Sequence, residues 1–83
     1  MNWVVYVLRC ADDSLYTGIT KDIERRIYEH NECDQKGAKY TRARRPVKLV
    51  YQEPHEDRAS ASQREHAIKQ LSRSQKLGLV NAS

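Results

Sequence analysis

WVVYVLRCADDSLYTGIT, from Trp3 to Thr20, joins two apolar runs through a turn-forming segment. WVVYVLR is continuous and β-branched, as a strand covered on both faces should be, and SLYTGIT after ADDS reads as its hairpin partner. Gly18 breaks the pattern. A glycine inside a strand lowers its stability, which goes unexplained if the strand is merely structural. Working outward, Thr20 is placed to cap a helix that has Asp22 in its first turn and ends near Asn31. After a loop, VKLVYQE supplies a third strand following Pro46. Asp57 then caps a helix over RASASQREHAIKQL, and Ser72 or Ser74 opens a short last one. The order ββαβαα contains no succession of βαβ units. It predicts an α+β class, a small antiparallel or mixed sheet with helices packed on it.

The 83 residues suit one domain, 1–83, with 81–83 expected to fray. A chain this short buries only about 60–65% of its unfolded surface, so the core is thin and large cavities are not expected. Fifteen Lys+Arg against eleven Asp+Glu give a formal charge of +4. The distribution says more: KGAKYTRARRPVK, from Lys36 to Lys48, carries six cations and no acid. That run reads either as a solvated loop or as a surface for phosphate backbones. Cys10 and Cys33 make no disulfide framework and lack the paired spacing of a structural zinc site, so both read as free thiols. Trp3–Leu8 is too short an apolar run for a signal peptide or a membrane span. A soluble, cytoplasmic protein with no membrane association is the expectation.

Two helices carry polar residues where core residues belong. With Ile23 at zero and about 100° per residue, Ile27 falls near +40°, His30 near −20° and Arg26 near −60°. Arg26 and His30 therefore flank the apolar stripe, while Glu24, Arg25 and Glu29 read as turned away. An arginine stem can snorkel across a core edge and a histidine can be satisfied by a carbonyl, so a structural reading stands beside a functional one. In the next long helix Ala61, Glu65, Ile68 and Leu71 share a stripe about 120° wide. Burying an unpaired carboxylate is costly, so Glu65 should meet a cation, a metal or a strong donor; a salt bridge to a local arginine is the structural alternative. Tyr6 and Tyr16 read individually as strand packing with wet hydroxyls. Gly18 shares Tyr16's face and leaves a gap beside it that could admit a phosphate.

Taken together, VVY at 4–6, YTG at 16–18, Arg26 eight residues after Gly18, His30 four further on and a helical Glu65 resemble the GIY-YIG nuclease pattern. The resemblance covers almost the whole chain and is closest to small stand-alone bacterial members. It implies a three-stranded antiparallel sheet flanked by helices. It implies Tyr6, Tyr16, Arg26, His30 and Glu65 as catalytic residues, with Glu65 holding one divalent cation, Mg2+ or Mn2+, whose other positions are filled by water. There are departures. Val4-Val5-Tyr6 lacks the glycine and isoleucine of the first element, and Ile19 stands where some relatives carry a lysine, so their way of activating water does not transfer. Asn81 is too near the terminus to stand for the distal asparagine of some homing enzymes.

The resemblance implies metal-dependent phosphodiester hydrolysis, and the residue types suit it. A hard cation on oxygen ligands supports the leaving oxyanion, and Arg26 would hold a non-bridging oxygen. A free tyrosine with a pKa near 10 is only about 0.1% ionised at pH 7, so it needs a neighbouring cation to act as a base. His30, expected to titrate near neutrality, is the other candidate; Tyr16 with His30 assisting is the preferred assignment. Substrate contacts fall to Gly18, Lys36, Lys39, Arg42, Arg44 and Arg45, with Lys69, Arg73 and Lys76 in support. Such contacts to phosphates predict nucleic acid as the partner, DNA ahead of RNA, recognised by structure rather than sequence. Tyr40 and Tyr51 can stack on bases but fit packing better. Larger relatives carry separate DNA-binding regions, which leaves room for a protein partner that positions substrate. The alternatives are a non-catalytic nucleic-acid-binding module on the same fold and a protein-interaction domain using the basic loop. The nuclease reading carries one geometric condition: a regular four-residue hairpin loop turns Tyr6 and Tyr16 to opposite faces, so it predicts an odd-length loop or a β-bulge that brings them together.

Overall fold

A computed structural model describes residues 2–81. The continuous apolar run becomes β1 (Trp3–Arg9), the middle strand of a sheet whose edges are β2 (Leu15–Thr20) and β3 (Lys48–His55), both antiparallel to it. Because strand side chains alternate, the run feeds two cores at once. Val5 and Val7 pack on one face with Ala61, Ile68 and Val80; Tyr6, Leu8 and Cys10 pack on the other with Val47, Ile23 and Ile27. The helices supplying those partners are α1 (Ile23–Glu32) beneath the tyrosine face, and α3 (Arg58–Lys69) and α4 (Arg73–Asn81) on the opposite face. Full burial of a valine or isoleucine is worth roughly 1.5–3 kcal/mol each, so these few side chains dominate a thin core.

The β1–β2 connection has an odd length. Arg9 pairs with Leu15, Leu8 with Tyr16 and Tyr6 with Gly18. Asp13 takes a left-handed φ of 68°, and the turn closes through Asp13 N–H to Cys10 O and Cys10 N–H to Ser14 O, each 2.9 Å. An aspartate tolerates that conformation, and the extra residue suits a strand pair with native twist. Tyr6 and Tyr16 consequently share a face. A second irregularity lies between Val7 and Leu8 in the β1–β3 register, where Val7 pairs with Tyr51 but Leu8 with Leu49.

The elements depart from the sequence reading in three places. Asp22, not Thr20, caps α1: its carboxylate accepts from Arg25 N–H at 3.1 Å, while the Thr20 hydroxyl accepts from Asp22 N–H at 3.1 Å. A short helix α2 (Lys39–Arg42) interrupts the basic segment, making the order ββααβαα. Asn81, expected to fray, closes α4; the expectation for Ala82 and Ser83 lies outside the described residues. Elsewhere the caps follow the sequence. Asp57 accepts from Ser60 N–H at 2.8 Å, and Ser72 and Gln75 form a reciprocal capping box. Glu53 joins β3 to α3, receiving Tyr51 Oη–H at 2.5 Å and Arg64 Nε–H at 3.1 Å while His55 bridges it to Ser60. Tyr51 is thereby committed to the fold. Cys10 and Cys33 are free. Among the described residues no helix is long and apolar enough to cross a membrane.

Candidate active site

Beneath α1 the polar side chains of β1 and β2 meet those of the helix. Tyr6 is 1% exposed, and its hydroxyl lies 2.9 Å from His30 Nε2. His30 is fully buried, with Nδ1 2.8 Å from Thr41 Oγ1 on α2. Tyr16 completes an aromatic group, with its ring centroid 5.2 Å from His30, 6.5 Å from Tyr6 and 5.8 Å from Tyr40. Asn31 exchanges hydrogen bonds with the Val47 backbone at 2.7 and 3.1 Å and so fixes the end of α1 against the start of β3.

Arg26 stands at the rim, its side chain 25% exposed. Its Nη1 donates to Glu29 Oε1 at 3.0 Å and to Lys36 O at 2.6 Å. Glu29 also receives Arg25, and its side chain is only 14% exposed beneath the two arginines. Three and four residues separate it from Arg26 and Arg25, the spacing at which helical ion pairs form. Hydrogen bonding from Arg26 holds the Glu29 carboxyl below its ordinary pKa. Burial opposes the Arg26 charge, but the hydrogen bond to Glu29 and the nearby Tyr6 hydroxyl outweigh it and keep the guanidinium protonated.

Burial decides the titration of the inner pair. It pushes the Tyr6 phenol up to about 12, against the opposing pull of the adjacent Arg26 guanidinium. It pushes His30 down to about 4, with the charges of Arg26 and Arg45 adding to the effect and Glu29 opposing it. The expectation that His30 titrates near neutrality is therefore overturned: its ring is neutral at pH 7 and closed to solvent.

Glu65 sits at the margin of the core rather than within it. Its side chain is 23% exposed and pairs with Lys69 Nζ at 3.3 Å, one helical turn on, so the local cation is a lysine. Its charge nonetheless acts on the Tyr6 hydroxyl, raising that pKa further. The gap expected beside Gly18 is taken by the Tyr6 ring, since a Cβ on Gly18 would stand 2.6 Å from Tyr6 Cζ. Gly18 thus makes room for a tyrosine, not for a phosphate.

The basic segment divides. Arg44 pairs with Asp12 at 3.0 Å, donates to Tyr40 O and stacks 4.1 Å from the Tyr40 ring. Arg45 donates to His30 O at 2.6 Å and to Asp34 at 2.8 Å, and Arg42 donates to Asp34 O at 2.9 Å. These three arginines, read from sequence as substrate contacts, hold the loop together. Lys36 and Lys39 are exposed.

A family model described as the GIY-YIG catalytic domain matches residues 2–78. The chain belongs to the GIY-YIG family. Membership implies a nuclease lineage and a nucleic-acid substrate. The UPF0213 protein of Desulfotalea psychrophila is 62% identical over 81 residues, spanning 98% of this chain and 73% of that protein. The UPF0213 protein of Staphylococcus saprophyticus is 52% identical over 77 residues, spanning 93% of this chain and 92% of its own. Among solved structures, the solution NMR structure of UPF0213 protein BH0048 from Bacillus halodurans superposes with a TM-score of 0.64 at 44% identity, over 100% of this chain and 86% of that one. That of EF2693 from E. faecalis superposes at 0.67 with 43% identity, over 99% and 85%.

Within this GIY-YIG chain the odd hairpin explains how both signature tyrosines reach one face. Thr41 and Glu29 join them without having been singled out in the sequence. Glu29 had a signal in its spacing from Arg26. Thr41 had none, since its role depends on α2 folding over His30.

Proposed function

We propose that this GIY-YIG chain is a divalent-metal-dependent nuclease that hydrolyses phosphodiester bonds, in DNA, with structure rather than sequence preference. The observation that supports it most is the half-buried Arg26 guanidinium beside the Tyr6 hydroxyl, at the rim of the packed Tyr6, Tyr16 and His30 rings and within the field of the Glu65 carboxylate. A guanidinium fixed by Glu29 and Lys36 O cannot swing to follow a ground-state phosphate, so it is preorganised for charge that develops in place.

Among the described residues no three His, Cys, Asp or Glu side chains gather as ligands, and with Glu29 held by two arginines the carboxylate left for a cation is Glu65. That donor set fits a hard cation that keeps most of its waters, Mg2+ or Mn2+, and not zinc. Bound there, the cation would supply charge to the leaving oxygen. Arg26 would bind a non-bridging oxygen. Tyr16, as its phenolate, would take the proton of the attacking water. Tyr6 is poorly suited to that task, because burial raises its phenol to about 12 and lowers its hydrogen-bond partner His30 to about 4, which disfavours passing its proton inward. His30 assists by holding Tyr6. Lys36 and Lys39 would meet the phosphate backbone.

The test is cleavage of plasmid and branched DNA by the wild type, Arg26→Ala and Glu65→Ala, with and without Mg2+. Mg2+-dependent cleavage lost in both variants supports the reading. Equal cleavage in all three sinks it.

A further inference from the structure

Thr41 lies on α2 with its side chain fully buried against His30. We propose that Thr41 is a positioning residue, which fixes His30 as its Nδ1–H tautomer and so turns the Tyr6 hydroxyl proton inward, leaving the phenolic oxygen open toward Arg26. The consequence for cleavage rests on the nuclease reading above; the tautomer does not.

The tautomer follows from the outer end of one hydrogen-bond chain. At the outer end the Thr41 hydroxyl has a single proton, and it points at Ala38 O, 3.0 Å away, the carbonyl that also takes Thr41 N–H and Arg42 N–H where α2 begins. With its proton used, Thr41 Oγ1 accepts from His30 Nδ1–H at 2.8 Å. With Nδ1 protonated, His30 Nε2 is the acceptor and takes the Tyr6 hydroxyl proton across 2.9 Å. A neutral imidazole has one donor and one acceptor, and this assignment uses both. The reverse tautomer would need the Thr41 proton at Nδ1 and so would take it from Ala38 O. A charged ring is disfavoured by its surroundings: Arg26 on α1 and the Arg45 side chain, which donates to His30 O, face it against the single carboxylate of Glu29.

The chain runs Tyr6, His30, Thr41 and ends on a backbone carbonyl, so it is not a route for protons to solvent. It holds a hydroxyl in one orientation.

The experiment is a two-bond 1H–15N correlation on the full chain at pH 7, which distinguishes the imidazole tautomers, run beside cleavage kinetics. We expect the Nδ1–H pattern for His30 in the wild type and in Thr41→Ser, and a shift toward Nε2–H in Thr41→Val. We expect kcat to fall on the order of tenfold in Thr41→Val at unchanged KM and to be retained in Thr41→Ser. A wild type in the Nε2–H form overturns the proposal even if Thr41→Val fails to fold. So does a Thr41→Val protein with an unaltered tautomer, or one with the altered tautomer and undiminished kcat. A wild type that cleaves nothing would fail the nuclease reading instead, and the spectra would still decide what Thr41 does to His30.

Discussion

Tyr6 occupies the space that a side chain at Gly18 would need. The two residues face each other across β1 and β2, and a Cβ on Gly18 would sit 2.6 Å from Tyr6 Cζ. Gly18 has no left-handed backbone requirement, so its substitution tests packing alone. Gly18→Ala should destabilise the fold by about 1–3 kcal/mol, through overpacking a ring that His30 and the sheet hold in place. The nearest obstacle is the Tyr6 hydroxyl. Gly18→Ala combined with Tyr6→Phe should therefore lose less stability than the two single changes predict when added. Urea unfolding of the four proteins measures this coupling; strict additivity would mean that the ring moves aside freely.

Acid should weaken the fold through His30. Its pKa is about 4 folded against an ordinary 6.5, so the unfolded chain binds the extra proton first. Stability from this group is complete above pH 6.5 and is lost as pH falls to about 4, by up to about 3 kcal/mol. Unfolding free energies at pH 7, 5.5 and 4.5 should fall more steeply for the wild type than for His30→Gln. Parallel slopes would place the ring in contact with water.

The cations of the basic segment should separate into two kinds. Arg45, committed to His30 O and Asp34, should cost about 1.5–3 kcal/mol of stability as Arg45→Ala. Lys36→Ala with Lys39→Ala should leave the melting temperature alone, weaken DNA binding and reduce the slope of log affinity against log salt by about 2. The pairing of effects is the test. A Lys36/Lys39 double variant with wild-type salt dependence would move the phosphate contacts elsewhere.

How much of this was legible in the sequence depends on which residues are considered. The middle strand could be read because a strand buried on both faces has no alternation to disguise it, and Asp57 and Ser72 announced their helices by standing before periodic segments. Arg26, His30 and Glu65 were visible as polar interruptions of an apolar stripe. The odd hairpin could only be posed as a condition, because residue counts do not fix where pairing stops; Asp13 settles it with its left-handed φ. Helix α2 was hidden, since four residues inside a run of cations carry no periodicity. The gap at Gly18 was misread because the sequence reveals a missing side chain without revealing which neighbour fills the space. The His30 titration was misread for a related reason. Its shift comes first from burial and then from Arg26, with Arg45 adding, and the burial and Arg45 are brought there by tertiary structure.

Binding and cleavage of the same branched DNA, measured side by side in Mg2+ for the wild type and Glu65→Gln, test the central claim most directly. Gln keeps the shape of Glu65 but removes the charge that a hard cation requires. The account predicts that the variant binds DNA within a few-fold of the wild type, while its cleavage falls by about 100-fold or more. Wild-type protein that binds without cutting, or a variant that cuts as fast as the wild type, would contradict it.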